Sequence, residues 1–162
     1  MRIAEELRYL ILAIQREGNR LLAAELRPLG VTPSQAEVLR VLSGYEPLTL
    51  TALGDLLVCE TGNSPSRLVD RLVAHGLVRR DVDPADRRYV TLSLTGDGKR
   101  LSRRIAKVEE RIYSTIDEYV ANQPVDETLH TLRSLASAFP AGHAVARRRD
   151  RNAYPPGGRV SG

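Results

Sequence analysis

The stretch that decides the fold covers residues 64–95 and reads SPSRLVDRLVAHGLVRRDVDPADRRYVTLSLT. Up to Gly76, apolar residues recur three and four positions apart, which predicts a helix. From Leu77 onward the apolar period changes from 3.6 to 2, which predicts two strands. The segment between the strands, DPADRR at residues 83–88, is charged and rich in turn-forming residues. The centre of the chain is therefore predicted to be a helix followed by a β-hairpin.

Two further helices are predicted upstream, and both carry start signals. Thr32-Pro33-Ser34-Gln35 combines an N-cap threonine, a proline at the first helical position and a glutamine that can complete a capping box. A shorter helix is expected after Thr49, which is also a favourable N-cap residue. The resulting order of helix, turn, helix and hairpin is that of a winged helix-turn-helix.

Long amphipathic helices are predicted on both sides of this centre, ending near Gly30 and beginning after Thr95. Their apolar positions are Leu7, Leu10, Ile11, Ile14, Leu21, Leu22 and Leu26, then Leu101, Ile105, Val108, Ile112, Ile116, Tyr119 and Val120, and finally Leu129, Leu132, Leu135 and Phe139. This is more apolar surface than one small lobe can cover. We therefore expect these helices to contact a second copy of the chain in a two-fold homodimer.

The predicted fold is mainly α-helical with a small β-hairpin wing. A single domain is expected over residues 1–140, with dimerisation helices at 1–30 and 96–140 and the winged-helix lobe at 31–95. Residues 141–162 lose the helical periodicity and gain Gly, Pro and Arg, so a basic disordered tail is expected there.

The composition excludes several classes of protein. Among the 162 residues, 42% are apolar and 27% are charged, which is typical of soluble globular proteins. No apolar run approaches the roughly 18 residues that a membrane span needs. Glu5 and Glu6 precede the first apolar run, which argues against a secretory signal. The single cysteine excludes an intramolecular disulfide. We expect a cytoplasmic protein that does not contact membranes.

The charge is unevenly distributed along the chain. Residues 61–104 carry 10 basic and 5 acidic groups, whereas residues 1–60 carry 6 and 8, and residues 105–140 carry 3 and 6. Most of the 24 basic residues are arginines, whose planar guanidinium pairs bidentately with phosphate or guanine. A basic centre between acidic ends indicates a polyanionic partner at that centre.

The residues expected to face DNA lie on the helix before the hairpin and on the hairpin tip. In a winged helix-turn-helix, that helix enters the major groove with its N-terminal residues near the bases. Arginines on the tip would reach an adjacent minor groove, with Asp86 accepting hydrogen bonds from Arg88. Taken singly, each arginine is equally compatible with ordinary solvated surface charge. The predicted DNA-binding residues are Ser64, Ser66, Arg67, Arg71, Asp86, Arg87 and Arg88.

Four segments of the chain resemble the MarR family of bacterial transcription regulators. They are TPSQAEVL at residues 32–39, SRLVDRL at 66–72, HGLVRR at 75–80, and DPADRR at 83–88 followed by a Leu-Thr pair. The similarity extends over residues 5–140 in the order of the family, and the wing segment is its most specific part.

This resemblance implies a homodimeric repressor that binds a pseudo-palindromic operator in double-stranded DNA. Family members often release the operator when a small phenolic ligand or an oxidant arrives, so a small-molecule effector or a stress signal is expected. The wing Asp and Arg of the family correspond to Asp86 and Arg88, and its recognition-helix Arg corresponds to Arg67. The residues that would bind an effector are not predicted.

Two features depart from the family pattern. The turn at residues 58–64 is longer than usual, which leaves Thr61, Asn63 and Ser64 as alternative caps for the recognition helix. Peroxide-sensing members carry their reactive cysteine near the N-terminus, whereas Cys59 precedes the recognition helix. A redox-responsive regulator acting through Cys59 is an alternative, although the nearby Glu60 would raise the pKa of the thiol.

No catalytic, metal or cofactor site is predicted. His75, His130 and His143 lack the spacing of metal ligands. The segment TGDGKR at residues 95–100 lacks both the first glycine of a phosphate loop and the Ser or Thr after the lysine. A winged helix used only for protein–protein interaction is the second alternative. An acidic wing or an apolar recognition face would favour it, and neither is present.

Overall fold

A computed structural model describes residues 1–59 and 64–150. The helices in these residues are α1 (Ile3–Leu26), α2 (Pro33–Tyr45), α3 (Leu50–Gly54), α4 (Pro65–Ala74), α5 (Gly96–Val120), α6 (Val125–Ala136) and α7 (Pro140–Arg149). Strands β1 (Val78–Val82) and β2 (Val90–Leu94) pair in antiparallel fashion, and a short 3-10 helix, Arg27–Leu29, follows α1. The prediction of a mainly helical protein with a hairpin wing is confirmed.

The helix start signals act as the sequence predicts. The Thr32 hydroxyl accepts a hydrogen bond from the Gln35 amide at 3.3 Å, and the Gln35 side chain accepts one from the Thr32 amide at 3.0 Å. These two bonds form the expected capping box. Thr49 caps α3 by accepting from the Ala52 amide at 3.2 Å. Each cap satisfies backbone N–H groups that the first turn of a helix leaves unpaired.

Gly76 ends α4 and turns the chain into the hairpin. Its φ of 68° lies in the left-handed region, which a residue with a Cβ adopts at a steric cost. The Leu77 amide donates to the Leu72 carbonyl at 2.9 Å, and the Gly76 amide donates to the Val73 carbonyl at 2.9 Å. These bonds are those of a Schellman motif, so β1 begins immediately after the recognition helix.

The core is built around α2, which packs against α1, α4, α5 and β2. Aliphatic side chains make up this core, as the scarcity of aromatic residues predicts. An isolated bridge between Leu48 and Leu92 joins the segment before α3 to the sheet, with N–O distances of 2.7 and 3.2 Å. The larger apolar side chains of the core that are fully buried are Leu26, Val38, Leu39, Leu42, Leu53, Leu56, Val69, Leu72, Val78, Leu92 and Ile105.

The prediction of a disordered tail from residue 141 is wrong for residues 141–149, which belong to helix α7. Pro140 occupies the first turn of α7, and Ala144 is buried. The helix lacks an apolar stripe because it docks through arginine hydrogen bonds, made by Arg147 and Arg148, rather than through aliphatic packing. Periodicity therefore could not reveal it. The remainder of the predicted tail, residues 151–162, lies outside the described residues.

The apolar stripes of α1, α5 and α6 are only partly covered within one chain. Leu26, Ile105 and Val108 are buried, but the outer parts of the three stripes are exposed. No helix in the described residues is long and apolar enough to cross a membrane. The large exposed apolar side chains on these helices include Tyr9, Leu10, Ile11, Ile14, Leu21, Tyr113, Ile116, Tyr119, Leu129, Leu132 and Leu135.

The start of α5 packs tightly against the end of α4. The Thr95 hydroxyl accepts from the Gly98 amide at 3.0 Å and donates to the Gly76 carbonyl at 2.6 Å. A Cβ at Gly98 would lie 2.0 Å from the Leu77 carbonyl oxygen, so only glycine fits without a backbone shift. Gly98 in the segment 95–100 therefore serves close packing against the backbone of Leu77.

Substitution of Gly98 by alanine should destabilise the protein. We expect Gly98→Ala to lower the free energy of unfolding by about 1–3 kcal/mol, the usual cost of overpacking a tight site. Urea denaturation followed by circular dichroism measures this change. Gly44→Ala in α2 is the control, because a Cβ there meets nothing within 4 Å. Equal stabilities of the two variants would contradict the close approach.

Candidate nucleic-acid interface

The rotation of α4 is set by its buried face. Leu68, Val69 and Leu72 are buried in the core, whereas Arg67 and Arg71 are exposed. Among the described residues, no carboxylate forms an ion pair with either guanidinium. Both groups are therefore free to contact an anion outside the protein.

The N-terminus of α4 differs in detail from the expected cap. Ser64 is the N-cap residue and is exposed, but its side chain makes no capping hydrogen bond. Instead its hydroxyl lies 2.8 Å from that of Ser66, which is half-buried. The alternative caps Thr61 and Asn63 lie outside the described residues. The first turn thus presents a pair of small hydroxyl groups next to Arg67.

An ion pair not predicted from the sequence joins the recognition helix to the wing. Arg80 on β1 donates to the Asp70 carboxylate on α4. On the same strand, Arg79 pairs with Asp81 at 3.0 Å. These two arginines are partly neutralised within the lobe. Arg80 and Asp70 are both evident in the sequence, but only the geometry of the hairpin brings Arg80 next to α4.

Two aspartates shape the tip of the wing. Asp83 accepts from the Ala85 amide at 2.7 Å, and Asp86 accepts from the Arg88 amide at 3.0 Å. Such bonds from a side chain to the backbone two residues on stabilise turns. The bond expected between Asp86 and Arg88 is thus made by the main-chain amide of Arg88, and no hydrogen bond from its guanidinium to Asp86 is found among the described residues. The side chains of Arg87 and Arg88 are exposed, with no carboxylate partner among the described residues.

Glu37 on α2 organises the segment that leads towards the recognition helix. Its carboxylate accepts from the Val58 amide at 2.8 Å and from the Cys59 amide at 2.9 Å. The side chain is only 9% exposed, and it also pairs with Arg148 of α7. Sequence analysis missed Glu37, because a lone acidic residue in an amphipathic helix carries no local signal of such a role.

Cys59 is exposed as a residue, yet its thiol is held in the neutral form. Partial burial of the thiol, together with the charge and hydrogen bonding of Glu37, raises its pKa from 9.0 to about 11, against an opposing effect of Arg148. Glu60, expected to act in this sense, lies outside the described residues. Since the thiolate is the reactive form, this environment disfavours the redox alternative.

A groove of about 880 Å³ lies between residues 54–59 with the start of α4 and the segment from Phe139 into α7. Leu57, Pro65 and Leu68 line one side, and Phe139 and Ala144 line the other. The described residues contain no cluster of three or more His, Cys, Asp or Glu side chains that could hold a metal ion.

Comparison with known proteins agrees with this geometry. Residues 31–98 match the model of a winged helix DNA-binding domain. The organic hydroperoxide resistance transcriptional regulator of Bacillus subtilis is 29% identical over 108 residues, which cover 67% of this chain and 73% of that protein. The multiple antibiotic resistance protein MarR of Salmonella typhimurium is 34% identical over 89 residues, covering 55% of this chain but only 61% of that protein.

A solved structure extends the similarity to most of the chain. It is a mutant MarR from Escherichia coli complexed with operator DNA, 27% identical, with a TM-score of 0.67. The match covers 86% of this chain and all of that one. The fold and its polar recognition face define a winged helix-turn-helix protein, and the Bacillus subtilis relative is named as a transcriptional regulator. The chain is thus a winged helix DNA-binding transcriptional regulator that is similar in sequence and fold to members of the MarR family.

The raised pKa of Cys59 predicts slow alkylation in the folded protein. At pH 8 a pKa raised from 9.0 to about 11 lowers the thiolate fraction, and the higher intrinsic nucleophilicity of the more basic thiolate offsets part of that loss, so iodoacetamide should react about tenfold more slowly than with the urea-unfolded chain. Mass spectrometry of timed samples gives both rates. Equal rates in the folded and unfolded proteins would contradict the assigned environment.

Proposed function

We propose that this regulator binds a pseudo-palindromic operator as a homodimer and represses transcription until a small ligand or a stress signal releases it. The α4 helices of the two protomers would enter successive major grooves, about 34–36 Å apart on one face of the duplex. The wings would reach the flanking minor grooves. Such a role would be carried out in the cytoplasm.

The observation that carries this proposal is the set of exposed arginines without an ion-pair partner in the described residues. Arg67 and Arg71 lie on α4 opposite its buried face, and Arg87 and Arg88 lie on the wing tip. By contrast, Arg79 and Arg80 are paired within the lobe. Unpaired guanidinium groups at these two elements suit phosphate and base contacts in adjacent grooves.

The uncovered apolar stripes support the homodimer. Ile14 is 73% exposed and Tyr119 is 82% exposed, and both belong to long helices on which many apolar residues are exposed. Contiguous apolar surface of this kind is typical of a protein–protein interface. Helices from the two ends of the chain supply it, which suits a two-fold clasp between identical chains.

The groove beside α4 supports control by a small ligand. Its walls belong to residues 54–59 with the start of α4, and to Phe139 and α7, which directly follow the α6 helix that we assign to dimerisation. A ligand that binds better in one arrangement of these parts would shift the population of DNA-binding dimers.

Substitution of the two arginines that correspond to family DNA contacts should impair operator binding. Capture of source-genome fragments at about 0.15 M salt supplies the operator, since lower salt favours non-specific phosphate binding. We expect Arg67→Ala and Arg88→Ala each to cost about 1–3 kcal/mol of binding free energy, and Arg67→Ala also to relax sequence preference. Fluorescence anisotropy with the operator duplex measures both effects.

Arg20→Ala is the matched control, because Arg20 lies on α1 in a well-exposed pair with Glu17. This variant removes the same charge and should bind as the wild-type protein does. Wild-type affinity in both Arg67→Ala and Arg88→Ala would show that the DNA-binding face is assigned wrongly.

A charge on the α1 stripe should weaken the dimer. Ile14→Glu would bury a carboxylate in the proposed interface at two symmetry-related positions, so we expect monomers at micromolar concentration. Sedimentation velocity measures the assembly state. Arg16→Glu adds the same side chain on the opposite face of α1 and should leave the dimer intact. A dimeric Ile14→Glu variant, or a monomeric wild-type protein, would contradict the proposal.

A further inference from the structure

Helix α7 is attached to the helix-turn-helix lobe by hydrogen bonds at its C-terminal end. The Arg148 guanidinium donates to the Leu56 carbonyl at 2.7 Å and also to the Glu37 carboxylate. Arg147 donates to the Asp55 carbonyl at 3.1 Å. The Tyr45 hydroxyl donates to the Arg148 carbonyl at 3.0 Å. Two consecutive arginines thus contact two consecutive carbonyls of the segment between α3 and α4.

The same segment is held from the other side by Glu37. Its two carboxylate oxygens accept the amides of Val58 and Cys59, and one of them also pairs with Arg148. Residues 55–59 are therefore clamped through both their carbonyl and their amide groups. Hydrogen bonds that involve a charged group are stronger than neutral ones, particularly where water is partly excluded. The Arg148 side chain is 31% exposed and that of Glu37 is 9% exposed.

The position of this clamp gives it a specific consequence. Residues 55–59 precede the recognition helix, whose N-terminal residues are expected to meet the bases. The core already fixes the rotation of α4 through Leu68 and Leu72. The clamp acts instead on residues 55–59, which precede α4 in the chain.

We propose that Arg148 and Glu37 are positioning residues for operator recognition: their ion pair, together with the peptide groups of residues 55–59, holds the approach to the recognition helix in its sequence-reading position. This inference rests on the proposed role of α4 in reading the operator. Arg148 of the Arg-rich C-terminal segment thus makes contacts within the protein, to Glu37 and a backbone carbonyl, rather than to DNA phosphate.

The test compares Arg148→Ala with Arg149→Ala in the full chain. Arg149 is the adjacent, exposed arginine of the same helix, so both variants lose the same charge. Affinities are measured for the captured operator and for a scrambled duplex of equal length over a range of salt concentrations. We expect Arg148→Ala to lower the ratio of operator to scrambled affinity about tenfold, because charged hydrogen bonds are lost. Its binding to the scrambled duplex and the salt dependence of that binding should stay unchanged, and Arg149→Ala should keep the wild-type ratio.

Other outcomes would overturn the inference. An equal loss of affinity for both duplexes, with a weaker salt dependence, would identify Arg148 as a phosphate contact. A wild-type ratio in Arg148→Ala would show that the clamp does not position the helix. If Arg148→Ala does not fold, Arg148→Lys serves in its place, since a lysine reaches one of the two acceptors but not both. The lysine variant should then show a smaller loss of the ratio, and a wild-type ratio would again refute the role.

Amide hydrogen exchange separates the clamp from the DNA-binding role. In the free protein, Arg148→Ala and Glu37→Gln should each speed exchange of the Val58 and Cys59 amides about tenfold while leaving the core amides of α2 protected. Faster exchange with an unchanged operator ratio would mean that the clamp exists but does not position α4, whereas wild-type operator binding by Arg67→Ala would mean that α4 does not read the operator. Unchanged exchange would refute the clamp itself, whatever Arg67→Ala and Arg88→Ala do to DNA binding.

Discussion

Burial of one face of α4 is the constraint on which the rest of the lobe depends. Leu68, Val69 and Leu72 are buried in the core around α2, and once they are in place the rotation of the helix is fixed. Arg67 and Arg71 then face outward because of helical geometry alone. The left-handed Gly76 begins the hairpin directly after α4, and Asp70 pairs with Arg80 across that junction. Burial of this one face therefore orients both α4 and the hairpin, the two elements that we propose to contact DNA.

The sequence predicts most of this lobe because its decisive interactions are local. The capping box at Thr32, the αL stop at Gly76 and the cap at Thr95 each join residues a few positions apart. The spacing of the apolar residues is also a local feature, and it predicts the helices and the hairpin. Helix α7 escaped prediction for the opposite reason, since the Arg148–Glu37 pair joins residues 111 positions apart and leaves no periodic trace in either helix.

The sequence predicts where the candidate interface lies, but it does not predict which ion pairs the arginines there form. The net charge of residues 61–104 points to the stretch that contains α4 and the wing, but it does not distinguish one arginine in it from another. The structure divides them into those that are paired internally, such as Arg80, and those that lack an ion-pair partner among the described residues, such as Arg67 and Arg88. Only tertiary geometry makes this distinction, because an ion pair depends on which carboxylates the fold brings within reach.

The clamp by α7 also bears on how a distant event could reach the recognition helix. Helix α7 follows α6 through residues 137–139, and α6 carries exposed apolar residues assigned here to the dimer interface. In the proposed dimer, a shift of α6 would therefore move Arg147 and Arg148, and through them the carbonyls of Asp55 and Leu56. This route runs outside the lobe core, which need not deform. Because the groove beside α4 lies between the same two parts, an occupant of the groove and a change in dimer geometry would act on one set of hydrogen bonds.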